Sequence, residues 1–256
     1  MKGLLQVKRM ERLTPNYVRI VLEGNDLVKF REARAGDNNK LLIPPAPEVE
    51  FELPDSPREK GEGFVIRTYT LRKLDFEKGE MLVDFVMHGD NGPASLWASR
   101  AQPGHKIGVY MKVKTKPLFQ KADSYLLIGD HTALPVISVI LEDLPATATG
   151  RAVLEVHSEE DKLHLKKPAG MEIKWVINSN PEDGSVLAES VKAYNIHNGI
   201  HWFVMAAAEY RTIKVIQEFL KNSSAIERKQ WYAYSYWKSG VAEDTSATDR
   251  RDLSIS

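Results

Sequence analysis

The sequence predicts a two-part fold, a β region followed by an α/β region. In the first part, short runs of alternating apolar and polar residues are separated by charged, glycine-containing turns, which is typical of an antiparallel barrel or sandwich. Near Lys116 the pattern changes, and Ser124–Gly129 is a continuous apolar run ending in glycine, as in a buried parallel strand. Strands and helices then alternate, which indicates a doubly wound parallel sheet. We therefore expect domains over residues 1–120 and 121–256.

Four segments of the first part have the composition and alternation of β-strands. They are Leu13–Leu22, Phe64–Leu71, Met81–His88 and Lys106–Val113. Asp37–Pro57 holds five prolines, and we expect a long excursion there rather than a regular element.

The second part predicts strands and helices in alternation. The strands are Ser124–Gly129, Arg151–His157, Glu172–Ile177 and Ile200–Ala206, and the helices are Thr132–Leu144, Ser185–Val191 and Glu209–Asn222. The last dozen residues are polar and charged, and we expect a loose tail.

Composition excludes several classes of protein. The 35 basic and 35 acidic residues balance, which disfavours a globally basic nucleic-acid binder. The absence of cysteine excludes disulfides, thiol catalysis and a self-contained iron–sulfur cluster. The N-terminus lacks the apolar core of a signal peptide, and no apolar stretch is long enough to span a membrane, so we expect a cytoplasmic protein.

The first candidate motif is RTYTLR, residues 67–72. In an extended strand, Arg67, Tyr69 and Leu71 share one face, whereas Thr70 and Arg72 share the other. A phenol ring beside a guanidinium can stack on a flat heteroaromatic ring while the cation meets a phosphate. By itself the motif fits an ordinary surface strand equally well.

The second motif is HGDNGPASLW, residues 88–97. We expect a strand to end at His88, a glycine-rich turn to follow, and a helix to begin around Pro93–Ser95. The free N–H groups at such a helix start form an anion site that suits a pyrophosphate. The alternative is a plain strand–turn–helix connection, but the two motifs lie close together along the chain and are more specific as a pair.

Together with LLIGDHTALPVI and YSYWKSG, these motifs make the chain resemble the siderophore-interacting protein family over nearly its whole length. The resemblance implies an FAD-dependent ferric-siderophore reductase with a six-stranded antiparallel FAD-binding barrel and a C-terminal parallel-sheet domain of the NAD(P)H-binding type. The electron donor would be NAD(P)H or reduced ferredoxin.

The same resemblance implies roles for individual residues. Arg67 would contact an FAD phosphate, Tyr69 would stack on the isoalloxazine, and Thr70 would approach its reactive edge. The other expected cofactor-binding residues are Leu71, Val86, His88, Gly92, Pro93, Ala94, Ser95, Trp97, Thr132 and Trp237. The segment around Trp237 also fits an aromatic strand at a sheet edge.

Ferric siderophores are often anionic, so their pocket requires cations. Lys238 is the preferred contact by resemblance, with Lys40 and Arg250 as further candidates. Lys112, Lys114 and Lys116 would share one face of a strand, and a solvated face is the simpler interpretation for them.

Two departures from the family pattern leave other functions open. His131 stands where an acidic residue is usual, and Ala206–Glu209 reads AAAE instead of AxGE. The alternatives are a non-catalytic flavoprotein or siderophore carrier, and a general NAD(P)H:acceptor flavin reductase. No catalytic side chain is required. Among the later histidines only His197 and His201 have a metal-ligand spacing, i and i+4, and Gly199 between them disfavours a helix, so we expect a monomer without a metal site.

Overall fold

In the computed structural model, the described residues are 1–46, 48–49, 52–55, 63–87 and 92–241. The chain divides into two compact units, Met1–Leu118 and Phe119–Ser256. Within the described ranges, no helix combines the length and the apolar character that crossing a membrane requires.

The first unit contains a closed barrel of six antiparallel strands, in the order β1-β2-β5-β4-β3-β6. The strands are β1 Lys2–Thr14, β2 Tyr17–Glu23, β3 Asn38–Ile43, β4 Val65–Asp75, β5 Glu80–Val86 and β6 Lys106–Met111. The helix α1, Pro93–Arg100, follows β5 and packs against β5 and β3. The predicted antiparallel β region is confirmed, and of the two architectures left open by the alternation, the barrel is correct.

Alternation along the strands builds the barrel core. Val18, Ile20 and Leu22 of β2 point inward, and Met81, Val83 and Phe85 of β5 meet them from the neighbouring strand. All six are at most 1% exposed. Full burial of such a side chain stabilises the fold by roughly 1.5–3 kcal/mol.

Three expectations for the first unit are wrong in detail. The predicted strand Leu13–Leu22 is broken by a turn at Pro15 and Asn16, which separates β1 from β2. Asp37–Pro57 is not wholly irregular, because its first residues form β3. Finally, β6 ends at Met111, so Lys112, Lys114 and Lys116 lie beyond it and do not share a strand face.

The second unit contains a five-stranded parallel sheet in the order β11-β10-β7-β8-β9. The strands are β7 Ser124–Gly129, β8 Thr149–Val156, β9 Gly170–Ile177, β10 Trp202–Glu209 and β11 Trp231–Trp237, and the helices are α2 Leu134–Asp143, α3 Leu187–Lys192 and α4 Tyr210–Lys221. The predicted parallel sheet with alternating helices is confirmed.

The strand order reverses between β7 and β10. From β7 the chain continues to β8 and β9 on one side, whereas β10 and β11 lie on the other side. Open α/β sheets bind ligands in the crevice at the carboxyl ends of the two strands that flank such a reversal. Gly129 ends β7 there, and a Cβ on it would lie 2.6 Å from the Cβ of Ala133, so glycine permits the close approach of the following turn.

Candidate functional site

The strand β4 presents the first motif on two faces. Leu71 is fully buried in the barrel core, and Tyr69 is half-buried against it with its ring 4.3 Å from that of Phe85. Arg67 is half-buried, and its Nη1 donates to the carbonyl of Ile66 at 2.8 Å. The backbone of Leu71 is fixed by a hydrogen bond from its N–H to the carbonyl of Asp37 at 2.8 Å. The strand therefore holds the Tyr69 ring in a defined position at the edge of the core.

Thr70 and Arg72 lie on the opposite face of β4. Arg72 Nε lies 4.0 Å from a carboxylate oxygen of Asp84, a residue that also accepts two hydrogen bonds from Arg19 at 2.7 and 2.9 Å. Asp84 is 4% exposed, so two cations compensate a buried carboxylate. The sequence alone does not reveal this network, because its members come from three different strands.

The start of α1 forms the second part of the site. Gly92 precedes the helix without a side-chain capping hydrogen bond, and Pro93 occupies the first turn. The first N–H groups of a helix have no partner within it, so this end favours an anion. Ala94 and Ser95 are buried in that turn, and Val86 is half-buried at the end of β5.

Trp97 and Leu71 are also expected among the cofactor residues. Their side chains are 1% and 0% exposed, and they pack within the barrel core beneath the neighbouring residues. Their part in cofactor binding stays a prediction. His88 and Arg250 lie outside the described residues.

The described part of this region suits a dinucleotide with a flat ring system. Arg67 is a half-buried cation, a type of group that can pair with a phosphate, and Tyr69 is an aromatic ring held in place by Phe85. Among the described residues, the start of the eight-residue helix α1 has no side-chain capping hydrogen bond, and the N–H groups of such a first turn favour an anion. A cation, an aromatic ring and helix N–H groups are the kinds of group that suit a pyrophosphate and a flavin ring.

In the second unit, the carboxylate of Asp130 connects the ends of three strands. It accepts hydrogen bonds from Thr132 N at 2.9 Å and Thr132 Oγ1 at 2.5 Å, from Glu209 N at 3.0 Å and from Trp237 Nε1 at 2.7 Å. Burial raises the pKa of Asp130 above its usual range. Thr132 and Trp237, both predicted site residues, are thus brought together at the strand reversal between β7 and β10.

Glu209 extends the network toward Lys238. Its carboxylate accepts from the N–H groups of Arg211 and Thr212 at the start of α4, and from Ser239 N at 3.3 Å. The Lys238 ammonium lies 4.8 Å from the centroid of the Tyr210 ring.

The second predicted siderophore contact, Lys40, belongs to the first unit. It is exposed on β3 and donates to Thr68 Oγ1 at 2.9 Å.

Asp130 and Glu209 were not predicted from the sequence as residues that organise the site. The available signal was their position, since each is the polar residue at the end of a buried apolar strand.

The spacing of the histidines along the sequence predicted no metal site. The structure nevertheless brings His131, His157 and Asp161 together at the ends of β7 and β8, with one donor atom of each within 4.8 Å of the others.

Comparison with protein families decides the identity of the chain. Residues 6–111 match the family described as Siderophore-interacting FAD-binding domain, and residues 122–240 match the family described as Siderophore-interacting protein. The chain belongs to the siderophore-interacting protein family. The resemblance noted from the sequence motifs is therefore confirmed.

Relatives of this siderophore-interacting protein align with it over nearly their whole length. The chain is 32% identical to the ferric vibriobactin reductase ViuB of Vibrio cholerae, over 96% of the chain and 93% of that protein. The crystal structure of the siderophore-interacting protein SipS from Aeromonas hydrophila superposes with a TM-score of 0.86 at 29% identity, covering 100% of this chain and 98% of that one. A ferredoxin NADP+ reductase from Neisseria gonorrhoeae, with a TM-score of 0.61 and 14% identity over 92% and 98% of the two chains, shares the fold. The architecture is thus ferredoxin-reductase-like.

Proposed function

We propose that this protein is an FAD-dependent ferric-siderophore reductase that takes electrons from NAD(P)H or from reduced ferredoxin. The observation that carries the proposal is the combination of the FAD-type donor set around Arg67, Tyr69 and α1 with an organised strand reversal at Asp130. The relative ViuB, whose name describes a ferric vibriobactin reductase, supports the same activity.

In this proposal the first unit holds the cofactor. When bound, FAD supplies a group that accepts two electrons together and passes them on one at a time. Arg67 neutralises a phosphate, the start of α1 binds the pyrophosphate, and Tyr69 stacks on the ring system. Thr70, of which 7% is exposed, offers its hydroxyl and N–H to the ring edge.

The second unit would receive the electron donor. Nicotinamide dinucleotides bind α/β sheets at the strand reversal, where Asp130 and Glu209 fix the turns after β7 and β10. The half-buried Thr132 lies on the first of these turns. Its hydroxyl donates to Asp130 and keeps its lone pairs as acceptors for a ligand.

The acceptor would be an anionic ferric siderophore. We assign Lys238 and Lys40 as contacts, because each extends an ammonium group from a strand or from the end of one. Reduction lowers the charge of the iron, and Fe(II) binds hard oxygen donors less tightly, so reduction itself releases the metal. No protein ligand is needed for this step. We further propose that the reaction takes place in the cytoplasm and that the protein acts as a monomer.

The substitution Lys238→Gln tests the assignment of substrate. We expect the KM for an anionic tris-catecholate ferric siderophore to rise about tenfold, equivalent to ~1.4 kcal/mol for one lost charge contact, with kcat changed much less. The matched control Lys221→Gln alters an exposed lysine at the end of α4 and should leave both constants unchanged.

A neutral quinone serves as a second acceptor in the same assay. Its reduction should not respond to Lys238→Gln, because it carries no charge for the ammonium to meet. If the siderophore and the quinone respond alike, the general flavin reductase is the better description. If the wild-type protein binds the siderophore but turns over with no donor, the carrier is correct.

A further inference from the structure

Three side chains of the second unit converge at one edge of the sheet. His131 directly follows Asp130 at the end of β7, His157 follows β8, and Asp161 ends the 3₁₀ turn Glu159–Asp161. Because β7 and β8 are parallel neighbours, their carboxyl ends meet at the same edge. One ligand-type atom from each side chain lies within 4.8 Å of the other two.

The cluster is enclosed on most sides. His131 is 6% exposed and Asp161 is 0% exposed, whereas His157 is half-buried and connects the group to solvent. The two imidazole rings stack with their centroids 4.2 Å apart. A cation held between a buried carboxylate and two imidazoles would offset the negative charge of that carboxylate in a site with little access to water.

The surroundings orient the donors. Ser158 Oγ donates to Asp161 Oδ2 at 2.9 Å, which fixes the carboxylate. Hydrogen bonds of this kind to a ligand carboxylate are typical of the outer shell of metal sites.

We propose that His131, His157 and Asp161 bind a divalent first-row transition metal ion. Two imidazoles and one carboxylate form the donor set of many Zn²⁺ and Fe²⁺ sites, in which further positions stay open to water. Donor atoms around such an ion lie about 3–3.5 Å apart, since each bond is about 2.0–2.2 Å long. Small rotations of the stacked rings therefore close the cluster around the ion. All three ligands belong to the second unit, and the proposal does not depend on the proposed reductase activity.

Cobalt is a suitable probe, because tetrahedral or five-coordinate Co²⁺ bound through histidine has visible d–d bands. Tag-free, metal-free full-length protein is titrated with Co²⁺ at pH 7.5, with its spectrum recorded against the uncomplexed protein. We expect one equivalent to saturate the bands and Zn²⁺ to displace the cobalt, as the affinity order of these ions requires. Absence of the bands, together with no heat of Zn²⁺ binding in calorimetry, would overturn the proposal.

The variant His157→Gln locates the site. We expect it to weaken Co²⁺ binding by about 100-fold, because it removes one of three protein ligands. The control His164→Gln changes an exposed histidine seven residues further along and should bind as the wild type does. Unchanged binding in His157→Gln, or equal loss in both variants, would contradict the assignment.

A milder variant covers the case in which His157→Gln fails to fold. Ser158→Ala keeps all three ligands and removes only the hydrogen bond to Asp161, so it should weaken Co²⁺ binding roughly tenfold. Zn²⁺ should also raise the melting temperature of the wild type, because an ion that binds only the folded state stabilises it. Equal affinity in Ser158→Ala and no thermal shift would refute the site.

Discussion

In the proposed function, FAD binding depends most directly on Arg67. It is half-buried on β4, in the same strand and on the same side as Tyr69. A charge-assisted hydrogen bond to a phosphate contributes about 1.5–3 kcal/mol. We therefore expect Arg67→Gln to weaken FAD binding by roughly 10- to 100-fold, measured by quenching of FAD fluorescence as the FAD-free protein is added.

The substitution Arg31→Gln provides the comparison for that titration. Arg31 is exposed at the end of the 3₁₀ turn Asn25–Phe30, so its loss should leave FAD affinity unchanged. An Arg67→Gln protein that binds FAD as tightly as the wild type would remove Arg67 from the cofactor site.

Tyr17 carries a buried hydroxyl in the core of the first unit. Its side chain is 1% exposed, and among the described residues its hydroxyl has no hydrogen-bond partner. Burial raises its pKa well above the usual value of 10.0. An unsatisfied buried hydroxyl costs free energy, so Tyr17→Phe should raise the free energy of unfolding by about 1 kcal/mol at pH 8.

The pH dependence gives Tyr17→Phe a second readout. Because the pKa is higher in the folded state, only the unfolded chain ionises this group as the pH rises through about 10, and the wild type loses stability there. The variant lacks this loss, so its advantage in urea unfolding should widen between pH 9 and 11. A constant difference over this range would show that Tyr17 ionises equally in both states.

At the residue scale, alternation was sufficient to place Thr70 and Arg72 opposite Tyr69. It could not reveal that Arg72 approaches Asp84, or that Asp130 accepts from Trp237 across more than 100 positions of sequence. Such partners come from different strands, and a single sequence carries no signal for which strands become neighbours.

The turns after β7 and β10 depend on each other through the carboxylate of Asp130. In Asp130→Asn, an NH2 group replaces one of the two accepting oxygens and faces a donor such as Trp237 Nε1. We expect the free energy of unfolding to fall by about 2–3 kcal/mol, as for a buried donor left without a partner. Urea unfolding followed by tryptophan fluorescence measures this change.

The exposed Asp143 at the end of α2 supplies a matched control for that measurement. Asp143→Asn should change the free energy of unfolding by less than about 0.5 kcal/mol, which is usual for surface positions. If Asp130→Asn is equally harmless, the hydrogen bonds to Asp130 do not hold the strand ends together.

Helices and strands with a clear pattern of apolar residues were predictable from the sequence, and those without such a pattern were not. Ser124–Gly129 is a strand with the predicted bounds, because its apolar run is bounded by polar residues and ends in glycine. The turn at Pro15 was not predicted, because the alternation of apolar and polar residues continues on both sides of it. The strand β3 was not predicted either, because Asn38–Ile43 is short and precedes a proline-rich stretch.

The closure of the barrel depends on contacts between distant parts of the sequence rather than on the pattern of any one strand. Alternating strands are equally compatible with a barrel and with a sandwich, so residue patterns left both open. Closure depends on β1 and β6 pairing over Lys2–Gln6 and Lys106–Tyr110, at opposite ends of the first unit. The count of six strands came from the family resemblance rather than from the alternation, which had revealed neither the long first strand nor β3.

The proposed function joins both units in one reaction, and electron counting tests it as a whole. A hydride carries two electrons, whereas each Fe(III) takes one. One NAD(P)H oxidised should therefore yield two Fe(II). This ratio does not depend on the identity of the siderophore.

The most direct measurement is an anaerobic titration of the purified protein, followed in the visible spectrum with a ferrous trap present. The account predicts a flavin spectrum that NAD(P)H or reduced ferredoxin bleaches, and that a ferric siderophore restores as two trapped Fe(II) appear for each two-electron donor consumed. A protein that cannot be loaded with FAD, or a bound flavin that no donor bleaches, would contradict it.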